Sequence, residues 1–142
     1  MNDNLIATAT VHLGASTEDV WQAITDPELI ERYFFGTRAE SDWHPGSPIT
    51  WSGEYEGKEY RDHGTILEAV PRERLVHTHF SPLTGREDVP ENYHTLTWRL
   101  APEGEGTILT LTQDNNHSYE EVEHSEENWR QVLEGLKSVV ES

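Results

Sequence analysis

The sequence predicts an α+β domain in which an antiparallel sheet packs against a long C-terminal helix, with two short helices after the first strand. Three observations lead to this fold class. Segments between residues 48 and 115 alternate apolar and polar residues, as strands with one buried face do. Signals for helix starts and stops lie between residues 14 and 36. The last segment of the chain repeats its apolar residues at helical spacing.

The first strand is predicted over residues 5–13, where β-branched residues are frequent and polarity partly alternates. Ser16 follows, with Asp19 three residues later, and this spacing is typical of a capping box at the start of a helix. We expect a helix of about two turns after this cap. Its buried face is predicted to hold Val20, Ala23 and Ile24.

A second short helix is predicted to begin at Asp26-Pro27. Aspartate caps the first turn well, and proline is tolerated at the first helical position because its missing N–H would be unpaired there anyway. We expect this helix to run through Tyr33 to Phe35 and to end at Gly36.

Strands account for most of the following residues. They are predicted over residues 48–52, 60–70, 75–80, 94–100 and 107–112. Gly64 lies inside the second of these, which indicates a bulge or a close approach of another backbone. Leu96, Trp98 and Leu100 alternate with polar residues, so one face of the sheet is expected to be buried. The polar stretch from residue 101 to 106 is predicted to be the loop of a hairpin.

The C-terminal segment is predicted to be the helix that covers the sheet. We expect it to run from about residue 125 to 141, with Ser125 as its N-cap. The apolar stripe comprises Trp129, Val132, Leu133, Leu136, Val139 and Val140. Acidic and basic residues lie off this stripe, as expected for an amphipathic helix on a sheet.

Composition excludes several classes of protein. The chain of 142 residues carries 10 basic and 27 acidic residues, a formal net charge of −17, and it contains no cysteine. Binding to nucleic acid or to an anionic membrane surface needs clustered lysines and arginines, so we expect neither partner. Without cysteine there is no disulfide, thiolate nucleophile or cysteine-ligated metal. We expect one cytoplasmic domain over residues 1–142, whose acidity is a solvated exterior.

Several segments together carry a resemblance to a known superfamily. They are residues 16–29, 64–71, 96–100 and 106–112, followed by Asn128-Trp129. In this order the chain resembles the helix-grip superfamily, also called START-like, Bet v 1-like or SRPBCC. Within it, the chain is similar to the bacterial group named for its likeness to the C-terminal domain of the activator of Hsp90 ATPase. The resemblance implies a curved antiparallel sheet that grips the C-terminal helix, with a cavity between them for a small hydrophobic molecule.

The same resemblance sets expectations about partners. Members include lipid carriers, polyketide cyclases and proteins that sequester an antibiotic, so the fold alone does not assign a function. The separate N-terminal domain of the eukaryotic co-chaperone has no counterpart in the sequence, so we expect no Hsp90 interaction. We expect a small hydrophobic or aromatic partner, no cofactor, no metal, and a monomer or homodimer.

His77 and His79 are the first candidate site residues, because alternate residues of a strand share one face. Two imidazoles on one face could bind a metal or supply a general acid or base. No metal-binding spacing accompanies them, so our interpretation is that they form a polar lining of the cavity.

Aromatic residues form the second group of candidates, with core packing as the alternative interpretation for Trp98 and Trp129. The candidate cavity residues are Tyr33, Phe34, Trp51, Tyr55, His77, His79, Trp98 and Trp129. We assign no catalytic residue and expect a binding protein for a small hydrophobic ligand. A cyclase or hydrolase that uses the cavity histidines, and an interaction module for a chaperone or another protein, remain the alternatives.

Overall fold

The computed structural model describes residues 5–141, apart from residues 35, 56, 83 and 84. The described strands form one seven-stranded antiparallel, curved sheet with the order β1-β7-β6-β5-β4-β3-β2. The strands are β1 (Leu5–Leu13), β2 (Arg38–Ser41), β3 (Pro48–Tyr55), β4 (Lys58–Val70), β5 (Arg74–His79), β6 (His94–Glu103) and β7 (Gly106–Asn116). The helices are α1 (Thr17–Thr25), α2 (Pro27–Tyr33) and α3 (Tyr119–Val140), with a short 3-10 helix at Pro90–Asn92.

The predicted fold class is confirmed, because α3 lies along the sheet and contacts β1, β7, α1 and α2. The predicted stripe of α3 supplies four buried side chains, while Val139 and Val140 are partly buried. The buried members are Trp129, Val132, Leu133 and Leu136. Burial of this stripe removes apolar surface from water and so holds the helix on the sheet.

The two short helices begin where the sequence predicts them. Ser16 Oγ accepts a hydrogen bond from the Asp19 N–H at 3.2 Å, and Asp26 Oδ1 accepts one from the Glu28 N–H at 3.0 Å. Helix α2 ends at Tyr33, before the predicted end, which falls on Phe35 outside the described residues. Gly36 then adopts a φ of +76°, a left-handed conformation that glycine tolerates well at the end of a helix.

The fold differs from the sequence prediction in three places. Helix α3 begins at Tyr119, six residues before the predicted N-cap Ser125, because Ser118 Oγ accepts a hydrogen bond from the Glu121 N–H at 3.1 Å and caps the helix there. Strand β2 (Arg38–Ser41) was not predicted, and it pairs with β3 from Arg38 opposite Ser52 to Ser41 opposite Ile49. The hairpin between β6 and β7 is also tighter than expected, because Glu103 pairs directly with Gly106.

Gly64 marks a close approach between β4 and β5, as predicted. A Cβ atom built on Gly64 would lie 1.9 Å from the carbonyl oxygen of Thr78, so no larger residue fits without moving a strand. The same region contains an irregularity in the pairing of the two strands, between Ile66 and Glu68. This close contact fixes the distance between β4 and the end of β5. Side chains from these two strands line the site described below.

Side chains of α3 also hydrogen-bond to the backbone of the edge strand β1 and the residue after it. Glu126 Oε2 accepts from the Thr8 N–H at 2.9 Å, and Glu141 Oε2 accepts from the Gly14 N–H at 2.7 Å. Lys137 Nζ donates to Glu141 Oε2 at 2.9 Å. The bonds from Lys137 and Gly14 hold the pKa of the Glu141 carboxyl below its usual value, so the carboxylate stays ionised as an acceptor.

None of the helices in the described part of the chain has the length and apolar character needed to cross a bilayer.

Candidate functional site

A partly enclosed cavity of about 210 Å³ lies between the inner face of the sheet and the middle of α3. Its wall combines aromatic rings with several polar side chains, and it contains no lysine or arginine from the described residues. The lining residues are Phe34, Thr37, Trp51, Tyr60, Asp62, His77, His79, His94, Leu96, Trp98, Gln113, Asn128 and Trp129. Every strand from β3 to β7 contributes at least one of them.

The strand register explains why these side chains meet. Residues directly opposite each other on antiparallel strands point to the same face of the sheet. Four such cross-strand pairs lie in the lining, and together they span β3 to β7: Trp51 with Asp62, His77 with Leu96, His79 with His94, and Leu96 with Gln113. The sheet therefore carries a polar band across its inner face at the level of the cavity.

Aromatic rings form the apolar part of the wall. The Trp98 and Trp129 rings pack edge to face with centroids 6.2 Å apart, and Phe34 packs against Trp129 in the same manner at 5.7 Å. Trp51 lies against both His77 and His79, with centroids 5.1 and 5.0 Å away. Such edge-to-face contacts fix the orientation of large side chains, so the wall is formed before any ligand arrives.

His77 has a structural role at this wall. Its Nε2 accepts a hydrogen bond from the Trp98 indole N–H at 3.0 Å, and its Nδ1 lies 3.0 Å from the carbonyl oxygen of Thr78, to which it donates. Burial lowers the pKa of His77 to about 4, although the bond to Thr78 opposes this shift and the nearby His79 reinforces it. His77 is therefore neutral at neutral pH, and both of its ring nitrogens are occupied.

Gln113 accepts a hydrogen bond from the indole N–H of Trp129, as His77 does from that of Trp98. Its Oε1 accepts from the Trp129 Nε1–H at 2.7 Å, and its Nε2 donates to Asn116 Oδ1 at 3.1 Å and to Ser125 Oγ at 3.3 Å. The indole N–H groups of Trp98 and Trp129 are thus both hydrogen-bonded. Their rings consequently present apolar and π surface, rather than unpaired donors, to a molecule in the cavity.

Asp62 and His79 form the polar pair of the cavity. His79 Nε2 lies 2.9 Å from Asp62 Oδ2. The side chain of His79 is 27% exposed and that of Asp62 is 16% exposed. Asp62 Oδ1 is the one buried side-chain polar atom among the described residues that has no hydrogen-bond partner. The His94 ring stacks on His79 with centroids 6.5 Å apart, and burial lowers the pKa of His94.

A further polar contact lies in the cavity lining, where the Thr37 and Tyr60 hydroxyls are 2.5 Å apart. Gly53 is packed against this contact, because a Cβ atom there would lie 2.7 Å from the Tyr60 hydroxyl oxygen. The link joins the segment after α2 to β4 and closes one side of the cavity.

The structure brings together six of the eight candidate cavity residues. They are Phe34, Trp51, His77, His79, Trp98 and Trp129. Tyr33 lies elsewhere, because its hydroxyl donates to the carbonyl oxygen of Ala23 at 2.9 Å and its ring is buried between the helices. The side chain of Tyr55 lies outside the described part of the chain.

The remaining lining residues are not among the cavity residues predicted from the sequence. They are Thr37, Tyr60, Asp62, His94, Leu96, Gln113 and Asn128. Among the described residues, no group of three or more histidines and carboxylates is arranged to hold a metal ion.

Comparison with known proteins gives a family match and several structural matches. The family model described as "Activator of Hsp90 ATPase homolog 1-like protein" matches residues 14–141. A comparison with curated protein sequences gave no significant match. The solution structure of ChR145 from Cytophaga hutchinsonii is 49% identical in sequence, with a TM-score of 0.87, and the alignment covers 99% of this chain and 97% of that one.

More distant structures share the fold. Protein NE0264 from Nitrosomonas europaea is 22% identical with a TM-score of 0.78, and the alignment covers 99% of this chain and 97% of that one. The solution structure of the Aha1 dimer from Colwellia psychrerythraea is 18% identical with a TM-score of 0.76, and covers 96% of each chain.

Proposed function

The chain belongs to the Activator of Hsp90 ATPase homolog 1-like family, and on that premise we propose that it is a binding protein for a small aromatic or hydrophobic molecule. The ligand would occupy the cavity between the sheet and α3, and no reaction would follow binding. One observation carries this proposal: the cavity wall is aromatic, and the indole N–H groups of Trp98 and Trp129 are already hydrogen-bonded to His77 and Gln113. A preformed, largely apolar wall with a few fixed polar groups is the usual character of a small-molecule site.

Cavity size limits the ligand. Pockets for drug-sized molecules span about 300 to 1,000 Å³, and this cavity holds about 210 Å³. A molecule with one six-membered ring and a short substituent suits a cavity of this size.

The contacts of His77 favour a role in binding rather than in catalysis. One ring nitrogen bonds to a backbone carbonyl and the other to an indole N–H, so both are occupied. A general acid or base needs a ring nitrogen that can reach the substrate. His77 also stays neutral down to about pH 4, which makes it a poor proton donor near neutral pH.

A titration with uncharged single-ring probes tests this proposal. We would add 2-phenylethanol or indole to the ¹⁵N-labelled protein and follow the tryptophan side-chain N–H resonances. We expect saturable shifts of the Trp51, Trp98 and Trp129 signals, because these rings line the cavity. Native mass spectrometry of the freshly purified protein would report any molecule that co-purifies.

Matched tryptophan variants supply the control. Trp51→Leu removes part of the cavity wall and should weaken probe binding by about tenfold, since a large buried aromatic contact is lost. Trp21→Leu removes a partly buried tryptophan that is not in the lining, and should leave binding unchanged. Equal affinities in both variants, or no saturable shift with either probe, would contradict the proposed function.

A further inference from the structure

The carboxylate of Asp62 lies inside an aromatic cavity whose described lining holds no lysine or arginine to pair with it. It lies opposite Trp51 in the β3–β4 pairing, and its Oδ2 bonds to His79 at 2.9 Å. Its Oδ1 is buried and has no hydrogen-bond partner. An ionised carboxylate has about four acceptor positions, so most of the capacity of this group is unused. A buried acceptor in that condition is costly unless a ligand or another group pairs with it.

The surroundings of Asp62 provide little positive charge. The described lining contains no lysine or arginine. His77 and His94, the other imidazoles of the cavity, are kept neutral near pH 7 by burial, which lowers the pKa of each. The hydrogen bond from His79 is therefore the principal stabilising contact of the carboxylate among the described residues.

Aromatic faces beside a carboxylate form a site suited to one class of ligand. The quadrupole of an aromatic ring attracts a cation placed over its face, and tryptophan is the most effective ring for this interaction. Trp51 lies directly across from Asp62, and Trp98 and Trp129 complete the wall. The carboxylate and the aromatic rings thus both attract a positively charged ligand. The carboxylate also repels an anionic ligand.

We infer that the ligand of this cavity is a small organic ammonium ion with an aromatic body, whose N–H groups hydrogen-bond to the carboxylate of Asp62 while its ring packs against the tryptophans. This inference rests on the proposed binding function and specifies the chemical class of its ligand. The net charge of −17 acts in the same direction, because it raises the local concentration of cations around the protein and repels anions.

A series of isosteric probes tests the inference on the intact protein. The probes are 2-phenylethylammonium, 2-phenylethanol and phenylacetate, which share one ring and a short substituent but differ in charge. Affinities would be measured at pH 7 by calorimetry or by the tryptophan N–H shifts. We expect the ammonium to bind at least about tenfold more tightly than the alcohol, as a charge-assisted hydrogen bond predicts, and phenylacetate to bind most weakly.

Two variants with the same change in charge separate the local site from the global field. Asp62→Asn keeps the shape of the side chain and should abolish the preference for the ammonium, while affinity for the alcohol stays within about twofold. Glu73→Gln alters an exposed turn residue outside the lining and should preserve the preference. Thermal unfolding of both variants would establish that they are folded.

Each outcome decides the matter. If the alcohol binds as tightly as the ammonium, or if Glu73→Gln reduces the preference as much as Asp62→Asn, the inference about charge is wrong while the proposed binding function stands. If none of the three probes binds, both are wrong. If Asp62→Asn loses the preference for the ammonium over the alcohol and Glu73→Gln keeps it, the result supports the ammonium site.

Discussion

Replacement of His77 by glutamine should change the way in which the stability of the protein depends on pH. Burial lowers the pKa of His77 from 6.5 to about 4 in the folded protein, whereas the unfolded chain keeps the ordinary value. Between pH 6.5 and pH 4 the unfolded state therefore binds a proton that the folded state does not. This difference in proton binding lowers the free energy of unfolding as the pH falls through that window.

The size of the effect follows from the two pKa values. Linkage between them gives a loss of about 2 kcal/mol between pH 7 and pH 5 from this side chain alone. His77→Gln removes the titrating group, so the variant should not lose this contribution. We would measure urea unfolding of both proteins at pH 7 and at pH 5. Between these two pH values, the unmodified protein should lose about 2 kcal/mol more of its free energy of unfolding than the variant loses.

An exposed histidine provides the control for this experiment. His117 lies on the surface before α3, so His117→Gln should leave the pH dependence of unfolding close to that of the unmodified protein. The reasoning is refuted if His77→Gln and the unmodified protein lose the same stability between pH 7 and pH 5. Such a result would mean that the His77 ring is hydrated or protonated in the folded state.

Two further predictions concern the fold. Gly64→Ala should reduce the free energy of unfolding by more than about 3 kcal/mol, because its Cβ would lie 1.9 Å from the Thr78 carbonyl oxygen. Gly14→Ala, whose Cβ would meet only a flexible side chain at 3.3 Å, should cost much less, and similar losses in urea unfolding would contradict the close approach. Ser118→Ala should cost about 1 kcal/mol by removing the N-cap of α3, whereas Ser125→Ala removes only a 3.3 Å contact with a glutamine. A greater loss for Ser125→Ala in thermal unfolding would contradict the observed start of the helix.

The predicted elements are those in which local signals agree with tertiary packing. Caps at Ser16 and Asp26 depend on neighbouring residues alone, and they form as expected. Strand β2 (Arg38–Ser41) has a single apolar residue in four, so its pairing with β3 leaves no periodic pattern in the sequence. The first turns of α3 hold mostly glutamate and histidine, and the apolar stripe used to place the helix begins only at Trp129.

Part of the missed site was within reach of the sequence. Gln113 continues the inward alternation of Leu109 and Leu111, so its side chain belongs to the buried face. Asp62 falls opposite Trp51 once the pairing of β3 with β4 is counted back from the hairpin turn. A polar residue on a buried face was the signal in both cases.

Other members of the site needed the tertiary structure. His94 meets His79 across the long connection between β5 and β6, whose length does not fix a register. Thr37 reaches Tyr60 only because α2 turns its end toward the sheet. These contacts depend on how distant elements pack, and no local pattern encodes that.

The bonds from α3 to the edge of the sheet have a consequence for association between molecules. An edge strand normally presents free backbone donors that another chain can pair with, which is a route to aggregation. Glu126 binds the Thr8 N–H of β1, and Glu141 binds the Gly14 N–H just beyond it, so two of these donors are already taken. The opposite edge, β2, is only four residues long and gives a short template. The acidic side chains that make this protein so strongly anionic thus also protect one border of its sheet against strand addition by a second molecule.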